Sequence, residues 1–245
     1  MKHRFPNLFY ILAFALVVPA GVLTCNAADG AEKKDPSAIV NDRLDRVLAD
    51  LKFDAAGLAD VINFVSDATE VDLFVDWRRL EGIKVQPTTP VTCNLQGRKF
   101  STALQEILDA AAKDKLVFQV AGSVVVISTK EGAGVIADAM KILEVRKLDA
   151  ATREKLDKPI PEFMFDAISL GDAVDFFEKS ASEKLLIDWA AFKKVGVDRT
   201  IPVTMKLRHS SLGDAVQLLF FSVLEKPVNV SLEKEGVRIA PAKQK

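Results

Sequence analysis

The sequence predicts an α+β fold made twice over: two tandem copies of a small βαβ-βαββ module, each preceded by a short helix. Two helices of each copy should pack on one face of a small mixed sheet. Three observations carry this. Phe53-Asp54-Ala55 returns as Phe165-Asp166-Ala167, Asp76-Trp77 as Asp188-Trp189, and Pro90-Val91-Thr92 as Pro202-Val203-Thr204. The offset is constant (165 − 53 = 188 − 76 = 202 − 90 = 112). From Leu44/Leu156 to Ser128/Ala240 no gap is needed, and 21 of 85 aligned positions are identical, against roughly one in sixteen from composition. A repeat of this length outranks any local motif as a guide to the fold.

Each element follows from one copy checked against the other. Ser37 and Asp149 precede Ala38-Ile39-Val40 and Ala150-Ala151-Thr152 and read as N-caps of a short helix. That helix should end near Leu48 in the first copy and before Pro159 and Pro161 in the second. Leu51-Lys52-Phe53 and Phe163-Met164-Phe165 alternate as a strand. Leu58, Val61, Ile62 and Val65 then fall at i, i+3, i+4 and i+7, matched by Leu170, Ala173, Val174 and Phe177. That spacing predicts an amphipathic helix, and Ser169 with Asp172 forms a capping-box start. Leu73-Phe74-Val75 and Leu185-Leu186-Ile187 are continuous apolar runs, as in strands covered on both faces.

The connection from Arg78 to Pro90 should carry a helical turn around Leu80, as its counterpart does around Phe192. Val91–Leu95 and Val203–Leu207 alternate and predict strands with one wet face. Ala103, Leu104, Ile107, Leu108 and Ala111 mark the next helix, matched by Ala215, Val216, Leu219, Phe220 and Val223. A hairpin closes each copy: Leu116–Val120 with Val124–Ile127, and Val228–Leu232 with Val237–Ile239. The domain plan is a signal peptide (1–27), a flexible lead-in (28–36), repeat 1 (37–128), a linker (129–148), repeat 2 (149–240) and a tail (241–245). Val135–Lys147 in the linker fits a helix and a strand equally.

The ends set the compartment. Lys2, His3 and Arg4 precede an apolar run from Leu8 to Leu23, and Cys25-Asn26-Ala27 offers a cleavage site. This is the form of a secretory signal, with an uncleaved membrane anchor as the alternative; Thr24 before Cys25 fits a lipoprotein signal poorly. Removing Lys2 and Arg4 leaves 33 − 2 = 31 basic against 34 acidic residues, a charge of −3. So weak a charge gives no pull on nucleic acid, and neither a basic stripe nor a Gly-x-x-Gly loop is present. Cys93 would be the only mature cysteine, so no internal disulfide is expected and each copy must rest on an apolar core.

Taken with its residues, the order resembles the secretin and TonB short N-terminal domain, as found in the periplasmic N-terminal modules of bacterial secretins. The likeness covers residues 53–128 and again 165–240. It rests on the Phe-Asp strand, Leu58-Ala59-Asp60-Val61-Ile62, the Leu-Phe-Val-Asp strand, Pro90-Val91-Thr92, Ala103-Leu104 and a hairpin ending Val-Val-Val-Ile. The resemblance implies a periplasmic or secreted protein that binds an envelope or periplasmic protein, or itself, and is not an enzyme. Five residues follow Ala240 (245 − 240), so no pore-forming β-domain is expected in this chain.

The chemistry points the same way. His209 aligns with Gly97, so a histidine general base or zinc site is poorly supported, and no phosphate loop is present. No catalytic, metal or cofactor residue is expected. Asp76, Trp77, Asp188 and Trp189 are the candidate signature. The carboxylates read as strand-end acceptors of backbone N–H groups. Each indole reads either as a lid on the core or as an exposed anchor at an interface. Arg78-Arg79 beside Trp77 would suit an interface, but Ala190-Ala191 stand in the second copy. The alternative function is an envelope carbohydrate-binding protein or hydrolase using the Asp-Trp ends, which needs two carboxylates in one cleft.

Overall fold

The computed structural model describes residues 36–145, 150–224, 226 and 228–242. The signal segment, residues 28–35 of the lead-in, Asp149 and the last three residues lie outside the described residues. The fold is α+β. In the first half α1 (Pro36–Leu44) leads into β1 (Leu51–Gly57), α2 (Leu58–Thr69) and β2 (Asp72–Val75). Next come α3 (Trp77–Gly82), β3 (Pro90–Leu95), α4 (Phe100–Ala112) and the hairpin β4 (Leu116–Ala121) and β5 (Val124–Thr129). Helix α5 (Lys130–Val145) joins this half to the second. There α6 (Ala150–Leu156) leads to β6 (Phe163–Ser169), α7 (Leu170–Ala181) and β7 (Leu185–Ile187). The chain ends with α8 (Trp189–Lys194), β8 (Pro202–Leu207), α9 (Leu212–Leu224), β9 (Val228–Glu233) and β10 (Gly236–Pro241).

From β1 to β5 each element has its counterpart 112 residues later at both ends (163 − 51 = 112, 236 − 124 = 112); β7 alone starts one residue late. One expectation is corrected. Each half holds two sheets, not one mixed sheet. β2-β5-β4 forms a three-stranded sheet with β2–β5 parallel and β4–β5 antiparallel, while β1 pairs only with β3. The second half repeats this as β7-β10-β9 and β6-β8. The physical reason is a β-bulge. Ala55 and Ala167 sit at φ 49° and 51°, and the β1–β3 and β6–β8 registers slip there. A bulge bends and twists its strand. Ser37 is also corrected: it lies inside α1, with its hydroxyl donating to Gly122 O at 3.3 Å, and does not cap the helix.

The repeated motifs are fold devices. The left-handed backbone at Ala55 costs about 1 kcal/mol. Thr92 Oγ1 accepts the Ala55 N–H at 2.9 Å, and Thr204 Oγ1 accepts the Ala167 N–H at 3.1 Å. Phe-Asp-Ala and Pro-Val-Thr are thus the two sides of one bulge. A shared glutamine does similar work. Gln105 donates to Leu116 O at 3.1 Å and Gln217 to Val228 O at 3.3 Å, pinning α4 to β4 and α9 to β9. Ser169 caps α7, its Oγ accepting the Asp172 N–H at 3.1 Å, as its spacing predicts.

The segment that fitted two patterns is helical, and it is core. Ala133, Ile136, Ala137 and Met140 of α5 are buried at i, i+3, i+4 and i+7. They lie over the face of the β2-β5-β4 sheet opposite its own helices. Phe74, Ala121, Val124 and Val126 on that face belong to one apolar cluster with α5 and the second half. Leu73, Val125 and Ile127 point the other way, into the first half's own cluster. The two halves therefore do not close separately, and the described residues all belong to one compact unit, Lys34–Lys245. In the second half the equivalent sheet face carries Leu186 and Arg238, and the Arg238 side chain is 45 % exposed. β7 is thus only partly covered where the sequence predicts burial on both faces.

Candidate functional site

The Asp-Trp pairs sit where β2 and β7 end. Asp76 caps α3 and is buried; its carboxylate accepts the Arg79 N–H at 3.4 Å and the Ser128 hydroxyl at 3.0 Å. Asp188 caps α8, accepting the Ala191 N–H at 3.0 Å and the Arg238 guanidinium at 2.8 Å. The Ala191 N–H first, then Arg238, hold the Asp188 carboxyl below the usual carboxylate range. Both aspartates therefore start a helical turn, each with its own second partner. Their tryptophans diverge further. Trp189 is half-buried, with the Arg199 guanidinium 5.4 Å above its ring and Phe192 at 6.2 Å. Trp77 is half-buried too, but lines a groove between the halves.

That groove has a volume of about 570 Å³, within the range of ligand pockets. The first half contributes Val75, Asp76, Trp77, Arg78 and Glu81. The second contributes the loop Val195–Val197, the start of β8 and the end of α9. Asp188 does not line it. A smaller cavity of about 70 Å³ lies beside it, between Leu73–Val75 and Met205, and shares Trp77.

The walls are held by residues that differ between the halves. Arg78 donates to Val223 O at 2.5 Å, at the C-terminal end of α9 where a cation complements the helix dipole. Arg79 lies 5.9 Å from the Phe221 ring centre and 3.7 Å from the Asp76 carboxylate. The arginines that seemed suited to an external partner thus grip the second half, and their alanine counterparts have nothing equivalent to hold. Gly132 of α5 allows this approach: a Cβ there would collide with Ser128 Oγ, and Arg79 Cδ would lie 2.9 Å away.

A polar clamp closes the other end of β2. Asp72 is buried and accepts the Arg208 N–H at 2.8 Å, the His209 N–H at 2.9 Å and the Ser210 hydroxyl at 3.3 Å. The Arg208 guanidinium donates to Ser66 O at 2.7 Å and pairs with Asp67, as does Lys206. His209 contributes its backbone, and its side chain is exposed. Sequence reasoning missed Asp72. The available signal was the change of sign at Asp67/Lys179 and Asp72/Lys184, opposite Lys206/Asn94 and Arg208/Gln96.

Cys93 is half-buried against the first half's core, and burial raises its thiol pKa above the ordinary value. Among the described residues no three His, Cys, Asp or Glu side chains are placed to hold a metal ion. Among them, too, no helix is long and apolar enough to cross a membrane. No protein-family model matches the chain, and neither does any curated protein or solved structure.

Proposed function

We propose that the chain is an exported, non-enzymatic interaction scaffold of the bacterial envelope, built from two modules like the secretin and TonB short N-terminal domain. The single observation that carries this reading is the use made of the shared motifs. The bulge absorbs Phe-Asp-Ala and Pro-Val-Thr, and the caps absorb Asp76 and Asp188. What remains open to a partner is a groove with a tryptophan wall. The hydrolase or carbohydrate reading needs Asp76 and Asp188 in one cleft, and only Asp76 reaches the groove. The partner is an envelope or periplasmic protein, or a second copy of the chain. Affinity capture by the mature chain from bacterial envelope extracts tests this. The expected result is one retained protein or a defined self-oligomer. A strictly monomeric chain that retains nothing would count against the proposal.

A further inference from the structure

We propose that the groove binds an arginine side chain of the partner protein, whose guanidinium lies on the Trp77 indole and pairs with the Glu81 carboxylate. This deepens the interaction reading above and rests on it.

The second half covers its own indole: the Arg199 guanidinium lies 5.4 Å from the Trp189 ring centre. A guanidinium over an indole face is attracted by the charge distribution of the ring. In the first half the counterpart of Arg199 is Pro87 (199 − 87 = 112), which carries no charge. Among the described residues no cation stands over the Trp77 ring. A second difference reverses the charge nearby. Lys193 of α8 corresponds to Glu81 of α3 (193 − 81 = 112). One tryptophan thus carries its cation within the chain and has a lysine four residues on. The other lacks that cation and has a carboxylate in the lysine's place.

Trp77 and Glu81 stand at i and i+4 of α3, hence on one side of the helix, and both line the groove. Glu81 is exposed, and among the described residues its carboxylate has no ion pair. The other charged residues of the lining are engaged: Asp76 caps α3, and Arg78 donates to Val223 O. The last turn of α9 also reaches the groove through Ser222 and Val223, and the C-terminal end of a helix favours a cation. Val195, Ile201 and Pro202 add apolar surface for the aliphatic stem. Arginine fits this lining better than lysine. Its planar guanidinium stacks on an aromatic face while its N–H groups pair with a carboxylate. Val195, Gly196, Pro202 and Thr204 are exposed, so the side chain enters from solvent and the contact between the halves stays closed.

The test uses the mature chain with isotopic label at the tryptophan indole nitrogens. The sequence has two tryptophans, so NMR shows two indole N–H signals, and Trp189→Phe identifies the one from Trp77. Three capped peptides are titrated: Ser-Val-Arg-Val-Ser, the same with citrulline for arginine, and the same with glutamate. Citrulline keeps the shape of the side chain and removes its charge. The expected result is a saturable movement of the Trp77 signal with the arginine peptide, the Trp189 signal staying in place. Binding should be roughly ten-fold weaker with the citrulline peptide and undetectable with the glutamate peptide. Glu81→Lys, a surface change that installs the second half's residue, should weaken the arginine peptide roughly ten-fold or more. The proposal is overturned if the citrulline peptide binds as well as its parent, if Glu81→Lys leaves the affinity unchanged, or if no peptide moves the Trp77 signal. Free argininamide, titrated alongside, should bind more weakly than the peptide; equal affinity would overturn the assignment to a protein segment. If no peptide moves the signal while envelope extracts still yield a retained protein, the arginine site falls and the interaction reading stands.

Discussion

Helices α4 and α9 occupy the same place in the two halves and meet different surroundings. Ala103, Leu104, Ile107 and Leu108 of α4 are buried, whereas Glu106 and Asp109 on its outer side stay partly exposed. In α9 the same outer positions are Leu218 and Phe221, both buried. A helix apolar all round must be covered all round, and α5 and the Arg79 side chain complete that cover. Positions that agree between the halves build each half. Positions that disagree build the contact between them.

Leu218→Glu, which gives α9 the residue of α4, should cost about 4 kcal/mol or more, because it buries a charge without a partner. The mirror change Glu106→Leu should stay within about 0.5 kcal/mol, since it removes only a surface pair with Arg98 at 3.5 Å. Urea unfolding of both variants checks the asymmetry. Thr92→Val and Thr204→Val should each cost about 0.5–1 kcal/mol and, unlike the helix pair, should cost the same, because both hold an alanine N–H on an exposed bulge.

A smaller effect concerns pH. Hydrogen bonds from Lys155 first, then from Lys158 at 2.7 Å, hold the Glu183 carboxyl below the ordinary value. The first half has buried Val71 at the same place. A carboxyl depressed in the folded state contributes stability that is fully present above its unfolded pKa of about 4.3 and is lost as pH falls through the lower folded value. Glu183→Gln should therefore reduce stability at pH 7 and flatten its fall below about pH 4.3, as thermal melts from pH 7 to 3 would show.

Much of this fold is legible in the sequence. The element order, the Ser169 cap and the helical turns at Leu80 and Phe192 follow from spacing and from comparing the halves. Helix α5 was not legible: Val135–Lys147 fits a helix and a strand equally, and only the burial of Ala133, Ile136, Ala137 and Met140 against the sheet decides for the helix. The bulge was not legible. Nothing in Asp54-Ala55 signals a left-handed residue, because glycine, asparagine and aspartate are the usual markers and alanine is not. The clamp was hidden for a different reason. Asp72 accepts N–H groups from residues 136 and 137 positions away, and backbone donors leave no mark on side-chain identity. Of the candidate signature, Asp76 and Asp188 were readable as strand-end acceptors of backbone N–H groups, though not as helix caps. The separation of Trp77 from Trp189 depends on Arg199, whose counterpart is Pro87, and on the second half forming the far wall.

That residues differing between the halves hold the two together is tested by comparing the unfolding free energies of Asp72→Lys and Lys184→Asp, each placing one half's residue in the other. Asp72→Lys should lose about 3 kcal/mol or more, because it strips the acceptor from three donors. Lys184→Asp, at an exposed site, should change stability by no more than about 0.5 kcal/mol. Equal losses at the two sites would show that Asp72 does not hold the halves together.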